Sequence, residues 1–327
     1  MQNLTDTYNR THTYLRIAVT ERCNLRCRYC MPEQGIELQP RSNILSFSEI
    51  VQAAELLADM GVSKIRITGG EPLVRKNIPE LVARLKAVPG IQTVGMTTNG
   101  VLLSRYAAEL KHAGLDALNI SLDSLRRERF EHIARRAKLD DVLSGIEDAL
   151  TQDFGTVKIN TVVIRGFNDD ELLDFVGMAG ATGMNVRFIE YMPFAENQWN
   201  SNGFIGFAEM REAIGAEVFL RPLHSENPHA VAKDFEIVGK RGLVSFITSM
   251  SEHFCSSCNR IRLTADGCIK ACLFSHSEYS IREALRMNDL ESVQHIIQSA
   301  IQGKAYQHAP MEELVQIDNR SMIRIGG

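Results

Sequence analysis

Between residues 13 and 190 the chain alternates short β-like runs with stretches of helical periodicity. The β-like runs cover 14–20, 64–68, 94–99, 117–123, 157–164 and 186–191. Between them, stretches such as 48–60, 78–88 and 104–113 space their apolar residues as one face of a helix does. Several helical stretches end near a glycine, at Gly61, Gly90, Gly114 and Gly183, as helices closed by a left-handed residue do. Strand–helix alternation predicts an α/β fold, a parallel sheet with helices outside it. A closed barrel takes eight such units, so six predict an incomplete (β/α)6 barrel. After about residue 192 the rhythm changes. Residues 197–206 read as a polar, aromatic-rich loop, 235–249 as two strands around a glycine-containing turn, and the chain closes with a helical tail and Ile325-Gly326-Gly327. The expected division is a barrel over 1–220 and a smaller C-terminal region over 221–327, with 227–240 matching no motif.

Buried parallel strands usually read as continuous apolar runs. These alternate instead. Leu15, Ile17 and Val19 share one face of the first strand, opposite Arg16 and Thr20; Ile65 and Ile67 oppose Lys64, Arg66 and Thr68. Ile120 and Leu122 oppose Asn119, Ser121 and Asp123, Val157 and Ile159 oppose Lys158 and Asn160, and Arg187 stands between Val186 and Phe188. The apolar face packs under the helices, so the polar face lines the interior. Burying those groups dry would be prohibitive, which predicts a wet cavity whose cationic lining is compensated by an anionic ligand. The plainer alternative is the solvated face of an open sheet.

Composition changes this picture little. The chain has 327 residues, 44% apolar and 23% charged, as ordinary globular proteins do. Thirty-six Lys and Arg against 40 Asp and Glu leave a net charge of −4, which argues against generic nucleic-acid binding. No run is long enough to cross a bilayer, and the N-terminal stretch has no apolar h-region or cleavage pattern. A cytoplasmic enzyme is the expectation.

The seven cysteines carry more. Six form two groups of three, Cys23, Cys27 and Cys30, then Cys255, Cys258 and Cys272, with Cys268 read as a spare thiol. An odd count without a secretion signal does not suggest a disulfide framework. A [4Fe–4S] cluster ordinarily takes four thiolates, so three leave one iron open for chemistry. Structural zinc is the alternative at both groups, and at the second His253 and His276 stand near as fourth ligands. Between the later cysteines, Arg260 and Arg262 share one face of a short strand, opposite Ile261 and Leu263, and guanidiniums suit bidentate phosphate recognition.

The run Cys23-Asn-Leu-Arg-Cys27-Arg-Tyr29-Cys30, with Gly69-Gly70-Glu71-Pro72 after the second strand, resembles the radical S-adenosylmethionine (SAM) superfamily. There, SAM chelates the open iron and is reductively cleaved to a 5′-deoxyadenosyl radical. RCNLRCRYCMP, KIRITGGEPLVR, MTTNG, LNISLDSL, VKINTVVIRGFNDDE, RFIEYMP, FCSSCNRIRLTADG, the CLF at Cys272 and the closing IGG together resemble the GTP 3′,8-cyclase family of molybdenum cofactor biosynthesis along nearly the whole chain. The resemblance implies a lyase with two [4Fe–4S] clusters, the second held by Cys255, Cys258 and Cys272 in the C-terminal region. It implies that Tyr29, Gly70, Glu71, Ser121 and Met192 serve SAM. It implies that Arg16, Arg66, Thr97, Lys158, Arg260 and Arg262 contact GTP with Lys64 and Arg187 close by, that Arg260 and Arg262 are needed for product, and that the Gly-Gly tail reaches into the cavity. It further implies an external flavodoxin- or ferredoxin-like electron donor and a downstream cyclic pyranopterin monophosphate synthase, with no nucleic-acid or membrane partner, in a monomer or homodimer. Two readings compete with it. One is a radical SAM enzyme with one auxiliary cluster that modifies a peptide, the other a zinc-binding interaction protein.

Overall fold

The structure is a computed structural model that describes residues 3–194, 197, 199–317 and 319–326. Six parallel strands form its centre: β1 (Tyr14–Ala18), β2 (Lys64–Thr68), β3 (Thr93–Thr98), β4 (Ala117–Ser121), β5 (Thr156–Val163) and β6 (Asn185–Glu190). The helices α1 (Phe47–Asp59), α2 (Ile78–Lys86), α3 (Leu103–His112), α4 (Arg127–Ala134), α5 (Leu139–Thr151) and α6 (Leu172–Thr182) connect them. This is the incomplete (β/α)6 architecture that the alternation predicts.

Local chemistry explains the elements. Helix α1 opens on a capping box, with Ser46 Oγ accepting from Glu49 N at 3.2 Å and the Glu49 carboxylate accepting from Ser46 N at 2.6 Å. Its buried stripe is Ile50, Val51, Ala53, Ala54 and Leu57, at helical spacing. The strand parity holds: Leu15, Ile17, Ile65, Ile67, Val94, Met96, Leu118, Ile120 and Ile159 are all fully buried under the helices. Their neighbours Arg16, Arg66, Asn119 and Lys158 therefore face the other way, into the barrel.

The C-terminal strands do not stand apart. After α7 (Phe207–Gly215) come β7 (Leu220–Pro222), β8 (Ala232–Ile237), β9 (Leu243–Ile247), β10 (Arg260–Leu263), β11 (Cys268–Lys270) and β12 (Tyr279–Ser280). One twelve-stranded sheet runs β12-β11-β10-β1-β2-β3-β4-β5-β6-β9-β8-β7. Strand β9 extends the barrel from β6 and β10 extends it from β1, both in parallel. The pairing sets Arg16 between Arg262 on β10 and Arg66 on β2, a row of three arginines across adjacent strands. Like charges side by side are unfavourable, so the row is built against its own electrostatics. Helix α8 (Arg282–Arg286) packs against α1 and α9 (Leu290–Gln302), α9 packs behind β11 and β12, and α10 (Met311–Leu314) and α11 (Met322–Ile325) lead to the tail. Among the described residues no helix is long and apolar enough to cross a membrane.

Candidate active site

The first cysteine loop leaves the C-terminal end of β1 and is tied down on every side. Arg26 N and Arg28 N donate to the carbonyls of Ala134 and Ile133 at the end of α4, both at 2.9 Å. Gly70 N donates to Thr20 O at 2.7 Å and Glu71 N to Arg22 O at 2.8 Å, so the glycine turn after β2 lies against the loop backbone. A Cβ on Gly70 would stand 2.3 Å from Arg22 O, which is why only glycine fits there. The fully buried Glu71 accepts from Leu73 N at 3.0 Å, Thr98 Oγ1 at 2.7 Å and Asn99 N at 2.6 Å. Asn99 Nδ2 in turn donates to Asn24 Oδ1 at 2.7 Å and reaches Cys23 Sγ at 3.6 Å. The cysteine loop, the GGEP turn and the TTNG turn are thus one network. The Glu71 side chain is spent within it, which leaves the backbone of this turn to meet a ligand.

Burial raises all three thiols, Cys23 to about 11, Cys30 to about 12 and Cys27 well above its usual value. Neighbouring carboxylates and the other thiols of the group push the same way: Glu71 acts on Cys23, Asp123 and the two other thiols on Cys27, and Cys23 and Asp123 on Cys30. Three crowded thiols of this kind fit a cationic iron centre, which binds them as thiolates. Among the described residues, no three His, Cys, Asp or Glu side chains converge as the ligands of one metal ion do. Tyr29 donates through its hydroxyl to Asp123 Oδ2 at 2.8 Å, while Asp123 Oδ1 accepts from Val162 N at 2.9 Å. Burial pushes Asp123 up to about 6. Asp123, just beyond β4, thereby anchors the loop to the barrel rim, a role sequence reasoning missed. Ser121 ends β4 at the same rim, and Met192 lies beyond β6 against Phe194, Phe274 and Ile325.

Below the rim the interior is cationic. Burial lowers Arg16 to about 10, with Arg66 and Arg260 pushing the same way and Tyr14 opposing. Burial and Arg66 bring Arg187 to about 10; burial, Arg187, Arg66 and Lys64 bring Lys158 to about 8. Arg262 falls well below its usual value through burial, Arg16 and Arg260. Tyr14 was not anticipated, although it shares the parity of Arg16. Its hydroxyl accepts from Arg66 Nε at 2.6 Å and Lys64 Nζ lies 5.0 Å above its ring. Burial alone would raise it, but Arg66, Arg16 and Lys64 bring it down to about 7. Arg66 lies over Gly95, where a Cβ would come within 3.0 Å of its guanidinium. Thr97 Oγ1, Asn160 Oδ1 and Arg187 Nε are buried without a hydrogen-bond partner among the described residues. Such groups mark a site that takes a polar ligand.

The second cysteine group sits against the same strands. Cys255–Ser257 forms a short 3-10 turn leading into β10, and Cys258 N donates to Cys255 O at 3.1 Å. Burial raises Cys255, and the fields of Cys272 and Cys258 add to this. Lys304 and Arg260 outweigh the burial of Cys258 and lower it to about 6. Cys268 pairs instead with Ser280 across β11 and β12, in the field of Asp266, Arg320 and Glu278, as a thiol apart. His253 packs edge-on against His308, and Arg260 lies 4.7 Å over the Phe254 ring.

The tail enters the barrel. Gly326 O accepts from Arg262 Nη1 at 2.8 Å and from Thr68 Oγ1 at 3.4 Å. With φ at +69° and a Cβ that would stand 2.4 Å from Thr68 Oγ1, Gly326 admits no side chain. Gly327, the second glycine of that expectation, lies outside the described residues. A cavity of about 770 Å³ between α2 and α3, near Pro79, Ala83 and His112, touches none of these motifs.

Two family models match, the Radical SAM superfamily over residues 17–179 and Molybdenum Cofactor Synthesis C over 184–310. The chain is 48% identical to Molybdenum cofactor biosynthesis protein 1 of Mus musculus, over 99% of this chain and 51% of that protein. It thus spans about half the length of the mammalian relatives it matches. It is 47% identical to the mitochondrial GTP 3′,8-cyclase of Arabidopsis thaliana, over 99% of this chain and 83% of that one. To GTP 3′,8-cyclase of Moorella thermoacetica it is 43% identical, over 98% of this chain and 99% of the other. In three dimensions it resembles SuiB of Streptococcus suis, solved with S-adenosylmethionine, at a TM-score of 0.61 and 14% identity over 88% of this chain and 67% of that one. The fold is therefore that of radical SAM enzymes, and the chain belongs to the radical SAM superfamily and, within it, to the GTP 3′,8-cyclase family of molybdenum cofactor biosynthesis.

Proposed function

We propose that this chain is a radical SAM GTP 3′,8-cyclase, converting GTP to (8S)-3′,8-cyclo-7,8-dihydroguanosine 5′-triphosphate at the first step of molybdenum cofactor biosynthesis. One observation carries the reading: the row Arg262–Arg16–Arg66, with Lys158 and Arg187 beside it, lies in a barrel whose rim holds the first cysteine loop. So dense a set of buried cations calls for a polyanion. A peptide substrate asks for no such lining.

Cys23, Cys27 and Cys30 would hold a [4Fe–4S] cluster which, with SAM, would supply the radical chemistry that removes hydrogen from ribose C3′. Gly70 offers backbone to the methionyl end of SAM, and Tyr29, Glu71, Ser121 and Met192 build the walls around it. Arg16, Lys64, Arg66, Thr97, Lys158, Arg187, Arg260 and Arg262 hold GTP. Gripping the triphosphate at one end and the purine at the other makes the attack of C3′ on C8 of the same molecule a matter of positioning. One electron and one proton then complete the product. Cys255, Cys258 and Cys272 would hold a second [4Fe–4S] cluster, within a C-terminal region over 221–327 that completes the barrel of 1–220. The electron donor is an external flavodoxin- or ferredoxin-like protein, and the product passes to a cyclic pyranopterin monophosphate synthase.

Anaerobic reconstitution with dithionite, SAM and GTP tests this. About eight irons per chain, with GTP-dependent 5′-deoxyadenosine and a cyclised nucleotide, are expected. SAM cleavage that leaves GTP unchanged would redirect the search to a peptide.

A further inference from the structure

Lys304 follows the last turn of α9 and is 5% exposed. Its Nζ has three acceptors: His12 Nε2 at 2.8 Å, Arg260 O at 3.0 Å and Cys258 Sγ at 3.4 Å. An ammonium has three N–H groups and accepts nothing. The count closes when His12 carries its proton on Nδ1, and there the carbonyl of Leu4 stands at 3.1 Å to receive it. His12 is fully buried. Asp6 lies 4.0 Å from His12 Nε2, but its carboxylate is engaged by Arg10 Nε at 2.6 Å. The anionic partner left to Lys304 is therefore the sulfur of Cys258.

The same N-terminal segment grips both loops of the second site. Arg10 Nη1 donates to Cys255 O at 2.8 Å and Tyr306 O at 2.6 Å, and Nη2 to Ala305 O at 2.8 Å. Asp6 Oδ1 accepts from Tyr8 N and Arg10 N, both at 2.9 Å, which fixes the turn that presents Arg10. Residues 4–12 thus hold together two segments that lie some 245 to 296 positions away.

We propose that Lys304, positioned by His12, is a charged hydrogen-bond donor to the Cys258 ligand of the second cluster, and that Asp6, Arg10 and His12 form a clasp that builds this site. The inference rests on the two-cluster reading above. Hydrogen bonds to ligand sulfurs and nearby net charge set the potential of iron–sulfur centres. A cation at Cys258 favours the reduced, more negative form, so Lys304 raises the midpoint of the second cluster. Its role is to tune and position, without touching substrate.

The test is an anaerobic redox titration of the full-length reconstituted enzyme, followed by EPR with iron counted, for wild type, Lys304→Met and Lys304→Arg. A Cys23→Ala/Cys27→Ala/Cys30→Ala chain identifies the signal of the second cluster. In Lys304→Met the second midpoint falls while the first stays. A tenfold change in the reduction equilibrium reads as about 59 mV for a one-electron couple. Lys304→Arg restores most of the shift. Loss of about four irons in Lys304→Met with the first cluster retained supports the same role. Full iron with an unmoved second midpoint overturns the proposal alone. A wild type holding only about four irons overturns the two-cluster reading and the proposal with it. If Lys304→Met does not fold, His12→Phe, which removes the acceptor that orients Lys304, is expected to shift the midpoint downward, and an unmoved midpoint there overturns the proposal.

Discussion

Replacing Lys158 by Met separates binding from stability, because the account predicts opposite signs for the two. Lys158 projects from β5 into the barrel, where burial, Arg187, Arg66 and Lys64 bring its ionisation from 10.5 down to about 8. At about 1.4 kcal/mol per tenfold change in proton affinity, holding that amine charged costs the ligand-free fold roughly 3 kcal/mol. The side chain keeps some contact with solvent, and screening reduces this to roughly 1–2 kcal/mol. A lysine whose folded ionisation lies below its unfolded one destabilises the fold at all pH values below about 8, and the penalty lifts as pH rises from 8 towards 10.5. Lys158→Met is close in length and neutral. At pH 7 without nucleotide it should therefore melt a few degrees above wild type, and the difference should shrink to about a quarter by about pH 10. With GTP the order reverses. Loss of one charge-assisted contact costs about 1.5–3 kcal/mol, a weakening of tenfold or more, so the thermal shift produced by GTP should shrink accordingly. Scanning fluorimetry under argon, with and without GTP, at pH 7 and near pH 10, reads both effects. A ligand-free variant less stable than wild type at pH 7, or an undiminished GTP shift, would refute the reasoning.

Three further outcomes follow from the geometry. Gly70→Ala drives a methyl into Arg22 O, an overpacking cost of about 1–3 kcal/mol delivered to the residue before Cys23; iron at the first cluster and SAM affinity by equilibrium dialysis should both fall, with the second cluster retained. Arg262→Ala removes the donor to Gly326 O as well as the phosphate contact proposed for it, so cyclised product should fall at least a hundredfold while SAM still binds; parallel loss of SAM binding would show the assignment to be wrong. Glu190, fully buried, accepts from Phe207 N at 3.0 Å, Met250 N at 2.8 Å, Ser251 N at 2.9 Å and the Ser251 hydroxyl, so Glu190→Gln turns an amide N–H₂ toward those donors and should cost about 2–3 kcal/mol, seen as a lower melting temperature.

Strand parity made the barrel and its cationic lining legible, because side chains on a strand alternate and the helices can cover only one face. Cysteine spacing made both thiol groups legible, and the glycines at 61, 90, 114 and 183 do carry the left-handed backbone their positions suggested. What stayed hidden depends on partners distant in sequence. Strand β10 reads alone as a short basic segment, and only its pairing with β1 puts Arg262 beside Arg16. The continuity of the sheet through β9 and β10 likewise leaves no trace in composition. Asp123 looked like one more lining carboxylate; that it faces Tyr29 depends on how the cysteine loop folds back across β4. Lys304 and His12 carry no motif, and 292 residues separate them. For the tail, only the resemblance pointed to insertion, and the structure inserts Gly326.

The most direct measurement uses GTP carrying deuterium at ribose C3′, turned over anaerobically with SAM and dithionite, with the mass of the 5′-deoxyadenosine recorded. If the barrel presents C3′ to the radical, the released 5′-deoxyadenosine gains one mass unit from this substrate and none from GTP labelled at C2′ or C4′. Unlabelled 5′-deoxyadenosine formed from C3′-deuterated GTP, or label arriving from another ribose position, would contradict the account.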